Sequence, residues 1–226
     1  SFEDSAIDHV RIYGNVFKDW RGYEVTGGII IGGETDPNTF DDWWIYNNLF
    51  WWTTISNPGG TFPWSGGTRL ISGLDSSLTH HNDINIVNNT FYNISESGAA
   101  NMAMFGIWDG TNTFKNNLFI SCAGLSALST NLVKDYNGYY SVPNYTTRET
   151  HDVSLASDPA VSSVTYNFMP IQTSDIVNTG VDWSSMFSTD YAGLSRPQGV
   201  AWDIGAFEAV LNGSAPNRRP RRNKIK

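Results

Sequence analysis

One six-residue pattern recurs along the chain and limits what the chain can fold into. It reads Ile12-Tyr13-Gly14-Asn15-Val16-Phe17, Ile45-Tyr46-Asn47-Asn48-Leu49-Phe50, Ile86-Val87-Asn88-Asn89-Thr90-Phe91 and Phe114-Lys115-Asn116-Asn117-Leu118-Phe119. A weaker fifth copy is Asp135-Tyr136-Asn137-Gly138-Tyr139-Tyr140. The second turn residue falls at 15, 48, 89 and 117, so the spacings are 33, 41 and 28 residues. Spacing of this size belongs to architectures in which each unit stacks on the next and insertions absorb the spread. In Asp83-Ile84-Asn85-Ile86, strand alternation sends Ile84 and Ile86 to one face and the polar residues to the other. The Asn-Asn pair ends the strand, because Asn adopts left-handed backbone at low cost, and Phe91 resumes the inward face. Stacking would then bring Asn15, Asn48, Asn89 and Asn117 above one another, where their amides bond as a ladder.

Composition supports strands and turns. Of 226 residues, 22 are Asn, 23 Ser, 19 Thr and 21 Gly, whereas only 6 are Glu and 5 are Lys. The first four favour bends and caps, and the last two dress exposed helix faces, so a helical bundle is excluded. Short apolar segments at 28–32, 70–72 and 102–107 read as a third strand in each unit, and the Pro/Gly-rich stretch 56–67 as an inserted loop. The expected fold is all-β, with about five coils over residues 5–145 and with Val10, Ile12, Ile45, Ile84, Ile86 and Phe114 buried. Residues 218–226 carry six of the 14 basic residues, so the preceding 217 have a net charge of 8 − 22 = −14. Such a body repels nucleic acid, and the basic run 212–226 reads as a flexible, solvated tail. Cys122 is the only cysteine and is expected to be a buried, inert thiol. Ser1 begins in mid-pattern without an initiator Met, which reads as a piece of a longer protein.

The Asn-Asn copies resemble those of right-handed parallel β-helix repeat proteins of the pectin-lyase-like group. The end of the chain strengthens the resemblance: Ser157-Asp158-Pro159, Ser174-Asp175-Ile176-Val177-Asn178-Thr179-Gly180, and Arg196-Pro197-Gln198-Gly199-Val200-Ala201-Trp202-Asp203-Ile204-Gly205-Ala206-Phe207-Glu208. It is similar to the C-terminal end of bacterial choice-of-anchor surface proteins, with departures at Asp175, Val177 and Asn178. The resemblance implies parallel β-helix coils over 1–150 and an irregular capping segment, 151–211, packed on the last coil. It also implies an extracellular or cell-surface setting, a virion surface included, and a polysaccharide or glycan as partner.

Enzymes of the pectin-lyase-like group usually work on the strand that follows the loop after the Asn turn. Around that strand lie Glu24, Glu34, Asp36, Arg69 and Asp109, which do not recur at matching positions. A lyase needs a base for the sugar proton and a cation for the uronate, so this face offers little. On the strand before the Asn turn, alternation aligns three outward rows. These are His9, Asp42 and Asp83; Arg11, Trp44, Asn85, Thr113 and Lys134; and Tyr13, Tyr46, Val87, Lys115 and Tyr136. Neighbouring strands lie about 4.8 Å apart, so Asp42 and Asp83, with His9 beside them, match the roughly 5 Å carboxyl spacing of a retaining glycosidase. The same two carboxylates suit a shared Ca2+; no other cofactor is expected. The plainer alternative is a solvated polar face. Trp44, Tyr46, Tyr13 and Arg11 form a candidate carbohydrate site, because aromatic faces suit the apolar faces of sugars. His80 and His81 point to opposite faces and cannot chelate one metal. Asp135 takes the inward position that Ile45 and Phe114 hold elsewhere, ready to pair with the closing segment, and Arg196, Asp203 and Glu208 are assigned to sealing that segment.

Three functions follow. A non-catalytic surface module that recognises carbohydrate or a partner is favoured. The alternatives are the C-terminal part of a polysaccharide lyase or glycoside hydrolase, and a spike or filament segment. Residues 1–7 offer no cap, so 9–17 are expected to be covered by another chain or by residues preceding Ser1.

Overall fold

The architecture comes from a computed structural model, which describes residues 7–19, 27–31, 39–53, 69–73, 80–94, 102–103, 110–122, 125–126, 132–143 and 147–210. The strands in the first half are β1 (Ile7–Asp8), β2 (Arg11–Tyr13), β3 (Val16–Lys18), β4 (Gly27–Ile31), β5 (Thr39–Tyr46), β6 (Leu49–Trp51), β7 (Arg69–Gly73), β8 (His80–Val87) and β9 (Thr90–Tyr92). Then come β10 (Met102–Ala103), β11 (Asn112–Lys115), β12 (Leu118–Ile120), β13 (Leu125–Ser126), β14 (Leu132–Asp135), β15 (Gly138–Tyr140), β16 (Val153–Leu155), β17 (Ala160–Ser162) and β18 (Asn167–Pro170). One parallel sheet runs β2-β5-β8-β11-β14, with β1 also on β5. A second runs β3-β6-β9-β12-β15-β16, again all parallel. Parallel pairs β4–β7 and β10–β13 make up the third strand position, and β17–β18 is an antiparallel hairpin. Among the described residues there is no α-helix, only a 3-10 turn at Ser163–Thr165. The chain is all-β with parallel sheets, each copy paired to the next.

The register explains the core. Ile45 pairs with Ile86 and Trp43 with Ile84, so one alternation governs every strand. Ile45, Ile84, Ile86 and Phe114 are fully buried, as expected. Val10 and Ile12 are only half-buried, because they lie in the outermost copy with a neighbour on one side. Behind the second sheet Phe17, Phe50, Phe91, Phe119 and Tyr139 stack at 4.6, 4.8, 4.7 and 5.4 Å between ring centroids. The expected strands at 28–32 and 70–72 are β4 and β7, with Ile29 and Ile71 in the core. Of 102–107 only β10 is described, and the loop 56–67 and tail 212–226 lie outside the described residues. Cys122 is buried, which pushes its thiol up to about 12.

The bend between the two sheets works as expected, with both residues of each pair in use. The first takes left-handed backbone at Gly14, Asn47, Asn88 and Asn116 (φ 65, 50, 51 and 55). The second forms the ladder. The backbone N–H of Asn15 donates to Asn48 Oδ1, that of Asn48 to Asn89 Oδ1 and that of Asn89 to Asn117 Oδ1, at 3.0, 3.0 and 3.1 Å. Each side-chain amide also reaches the next Oδ1, at 3.2, 3.1 and 3.1 Å.

The fifth copy corrects the expected alignment by one residue. Lys115 pairs with Asp135 and Leu118 with Gly138. Asn137 is therefore the next rung, its Oδ1 accepting the Asn117 N–H at 3.0 Å. Tyr136, at φ 58, takes the left-handed bend that Asn holds elsewhere. Lys134 then occupies the place of Phe114, and Asp135 moves to the outward row beside Lys115. A slip of one residue exchanges the two faces of a strand, so the expected inward Asp135 and outward Lys134 are reversed. The outward rows end at Val133 and Asp135, in place of Lys134 and Tyr136.

Only β16 of the C-terminal segment continues the stack. The remainder lies along the flank over the bends of copies two to four. Asn47 Nδ2 donates to Thr189 O (2.7 Å), Asn88 Nδ2 to Asp203 O (3.0 Å) and Asn116 Nδ2 to Val181 O (2.8 Å). The segment is thus a side strap in addition to any closure of the last copy.

Candidate functional site

The strap lies on the stripe expected to be exposed. Trp44 and Tyr46 are 7% and 8% exposed, in a cluster with Val87, Phe187, Trp202 and the half-buried Trp183. Trp183 meets Trp44 edge-on at 5.6 Å, and Phe187 stacks on Tyr46 at 4.2 Å. Apolar rings on an outward strand face need a cover, and the strap supplies one. Trp44 and Tyr46 are therefore packing residues here. Trp43 is half-buried against the inner core and Trp52 lies within it. Trp51 packs on Phe168 and Tyr166 of the strap, with the Lys18 ammonium 5.8 Å from its ring centre.

The carboxylates are also engaged. Arg11 Nη2 donates to both Asp42 oxygens, at 3.0 and 2.8 Å, and Nη1 to Asp42 O at 2.6 Å. Trp44 Nε1 adds a bond to Asp42 Oδ1 at 2.9 Å. The Arg11 hydrogen bond outweighs burial and holds the Asp42 carboxyl below its ordinary value. Asp42 thus stays ionised and paired, a poor general acid. Asp83 is exposed and accepts Asn85 Nδ2 at 2.9 Å. Asp42 and Asp83 share a left-handed bend with His9 (φ 51, 51 and 58), so the expected row exists and shapes a corner. His9 is exposed, with Nε2 3.7 Å from Asp42 Oδ2. His81 is buried, stacked on Phe40 with Nε2 3.2 Å from Ile31 O, which is a packing role. Among the described residues no three His, Cys, Asp or Glu side chains are grouped to hold a metal ion.

Arg196, Asp203 and Glu208 meet in the strap, as expected. Arg196 Nη1 donates to Glu208 Oε1 at 2.6 Å, both side chains being fully buried. The second guanidinium nitrogen goes to Asn47 Oδ1 and Gly205 O, so the contact is not a bidentate fork. Asp203 accepts the N–H groups of Asn178 and Ala209 at 2.7 and 2.6 Å. Burial, aided by the neighbouring Glu208, pushes Asp203 up to about 6. Burial likewise raises Asp190, which accepts the Glu208 N–H at 3.0 Å. This buried cluster fastens the strap to the second copy.

Three residues at the far end of the stack were not singled out by the sequence reading. Asp152 Oδ1 accepts the Asn137 N–H at 2.8 Å and so ends the ladder with an acceptor-only side chain. Arg148 lies over Tyr139, 4.0 Å from its ring centre, and ends the aromatic stack. His151 stacks on Tyr136 at 4.5 Å, with Nδ1 2.7 Å from Asp135 Oδ2. Burial raises Asp152. Burial would raise Asp135 too, but hydrogen bonds from His151 and Tyr136 bring it below its ordinary value. The readable signal was Asp152 itself, 15 residues after Asn137, a shorter copy of the same spacing.

At the near end, Tyr13 is 49% exposed and Val16 46%, with Asn15 also exposed. Tyr13 stacks on Tyr46 at 4.9 Å and 8°, leaving its other face to solvent beside Arg11. Of the four candidate sugar-binding residues, only Tyr13 and Arg11 remain within reach of a ligand. No family model, curated protein or solved structure matches this chain.

Proposed function

We propose that the chain is a right-handed parallel β-helix of the pectin-lyase-like kind, strapped along one flank by its C-terminal segment. It serves as a non-catalytic recognition module outside the cell or on a surface. The carrying observation is the division of labour among its side chains. Asp42, Asp135, Asp190, Asp203 and Glu208 are tied into structural bonds, whereas the outermost copy leaves Tyr13, Asn15 and Val16 to solvent. A lyase or hydrolase would call for a free acid or base in a cleft, which the paired Asp42 does not provide. A filament of stacked copies is disfavoured by the finished far end.

A specific observation favours carbohydrate as one partner. The Tyr13 ring is held flat by Tyr46 and flanked by Arg11, which is the platform a pyranose face requires. The test is incubation with a panel of polysaccharides, read for binding and for new reducing ends or unsaturated products. The expectation is no product, and at least ten-fold weaker binding of any captured glycan by Tyr13→Ala. Products from any glycan would refute the non-catalytic reading.

A further inference from the structure

The two ends of the stack differ chemically, and the difference specifies an occupant for the open one. At the far end each row is finished: the ladder by Asp152, the aromatic stack by Arg148, and the bend row by His151. At the near end none is. Asn15 Oδ1 accepts no hydrogen bond among the described residues, and Phe17 stacks on Phe50 alone. Within the stack, the N–H following each rung donates to the carbonyl of the rung before. Leu49 donates to Asn15 O, Thr90 to Asn48 O, Leu118 to Asn89 O, Gly138 to Asn117 O and Val153 to Asn137 O, at 2.9, 3.0, 2.9, 2.8 and 2.8 Å. Val16 N–H holds the same position in the outermost copy and has no earlier rung to meet. A single residue would satisfy both groups, its N–H donating to Asn15 Oδ1 and its carbonyl accepting from Val16.

We propose that the face formed by β2 and β3 docks a strand–bend–strand segment of another polypeptide, running parallel to it. That segment carries Asn, or another ladder residue, at the bend and an aromatic residue two positions later, to stack on Phe17. A second copy of this chain does not fit. Its own rungs are all engaged, and its far end presents the Asp152 carboxylate rather than a donor. Two near ends placed face to face would oppose acceptor to acceptor at Asn15. The inference rests on the recognition reading above and gives that reading a polypeptide ligand.

The experiment titrates a synthetic peptide of residues 80–92 of this chain, which carries Asn88-Asn89-Thr90-Phe91, into the protein. Hydrogen exchange at Val16 is followed, with light scattering to record the oligomeric state. The expected result is saturable one-to-one binding that slows Val16 exchange at least ten-fold. A peptide of scrambled order should not do this, and Asn15→Ala in the protein should weaken binding at least five-fold while the protein stays folded by circular dichroism. The proposal is overturned if the scrambled peptide protects Val16 equally, or if no saturation occurs below millimolar peptide. It is also overturned if Val16 is already protected in the free protein, in a monomer or in a self-associated form. The two proposals fail separately: glycan binding without peptide binding defeats only the peptide ligand, and glycan cleavage defeats only the non-catalytic reading.

Discussion

Removing one rung from the middle of the ladder should cost several times more than removing the outermost rung. Asn89 is fully buried and makes five side-chain bonds. Its Nδ2 donates to Ile45 O, Val87 O and Asn117 Oδ1 at 2.9, 3.1 and 3.1 Å. Its Oδ1 accepts Asn48 N–H and Asn48 Nδ2 at 3.0 and 3.1 Å. In Asn89→Ala, the Asn48 N–H loses its acceptor where water cannot follow, and Ile45 O loses its amide donor. One or two buried groups stranded at about 1–3 kcal/mol each, plus the small void left by the amide, give about 3–5 kcal/mol. That is a large part of the roughly 5–15 kcal/mol that holds a domain together. Asn15→Ala removes bonds to Tyr13 O and Asn48 Oδ1 at a solvated edge, where water replaces them, for less than about 1 kcal/mol. Urea unfolding of both variants measures the difference at unchanged m-value. Costs within about 1 kcal/mol of each other would refute the reasoning, because the ladder would then hold no more energy inside than at its end.

Trp44→Ala should destabilise by about 3–5 kcal/mol, since Trp44 is packed under Trp183 and bonded to Asp42; thermal unfolding checks this. Gly205→Ala should cost roughly 2–4 kcal/mol and loosen the strap, because Gly205 has φ +102 and a Cβ there would lie 3.1 Å from Leu118 Cβ and Thr90 Oγ1; limited proteolysis between 158 and 210 reads it out. Stability should rise by about 1 kcal/mol between pH 7 and pH 5. Asp203 is raised in the folded state from 3.8 to about 6, so its contribution is full below the unfolded value and is lost as pH rises through 6. Asp42 and Asp135 are lowered, so theirs is present above the unfolded value and fades in stronger acid. Chemical denaturation across pH measures the curve, and Asp203→Asn should flatten its slope between pH 5 and pH 7 while lowering stability throughout.

Much of the stack was legible because its signal is local. A bend residue, a rung and an inward aromatic repeat within six positions, and stacking follows once Ile45 and Ile86 share a face. The strap was not legible in this way. Its contacts join Asn47 to Thr189 and Asn88 to Asp203 across more than a hundred residues, and no period links the two partners. One trace was present. The first residue of the pair is Asn at 47, 88 and 116 but Gly at 14 and Tyr at 136. All five adopt the left-handed bend, so backbone geometry alone does not require an amide. The amides occur where the strap needs a donor, and the copies without them are those it leaves uncovered at that bend. Trp44 and Tyr46 were misjudged for the same reason: alternation tells which side of a strand a ring leaves by, never what lies on that side.

The fifth copy shows a different limit, set by the period of the strand. Two alignments were open there, one placing Asn137 at the bend and Gly138 at the rung, the other placing Tyr136 at the bend and Asn137 at the rung. Local preference favours the first, since Asn takes φ > 0 more easily than Tyr. The structure adopts the second. The bend preference is worth about 1 kcal/mol, whereas an unmet rung leaves the Asn117 N–H buried without an acceptor, at about 1–3 kcal/mol. The first alignment would also bring Asp135 into the core beside Phe114, a cost far above either. Together these terms reverse the local preference. When a repeat degenerates, the residue to align on is therefore the one whose side chain its neighbours cannot do without.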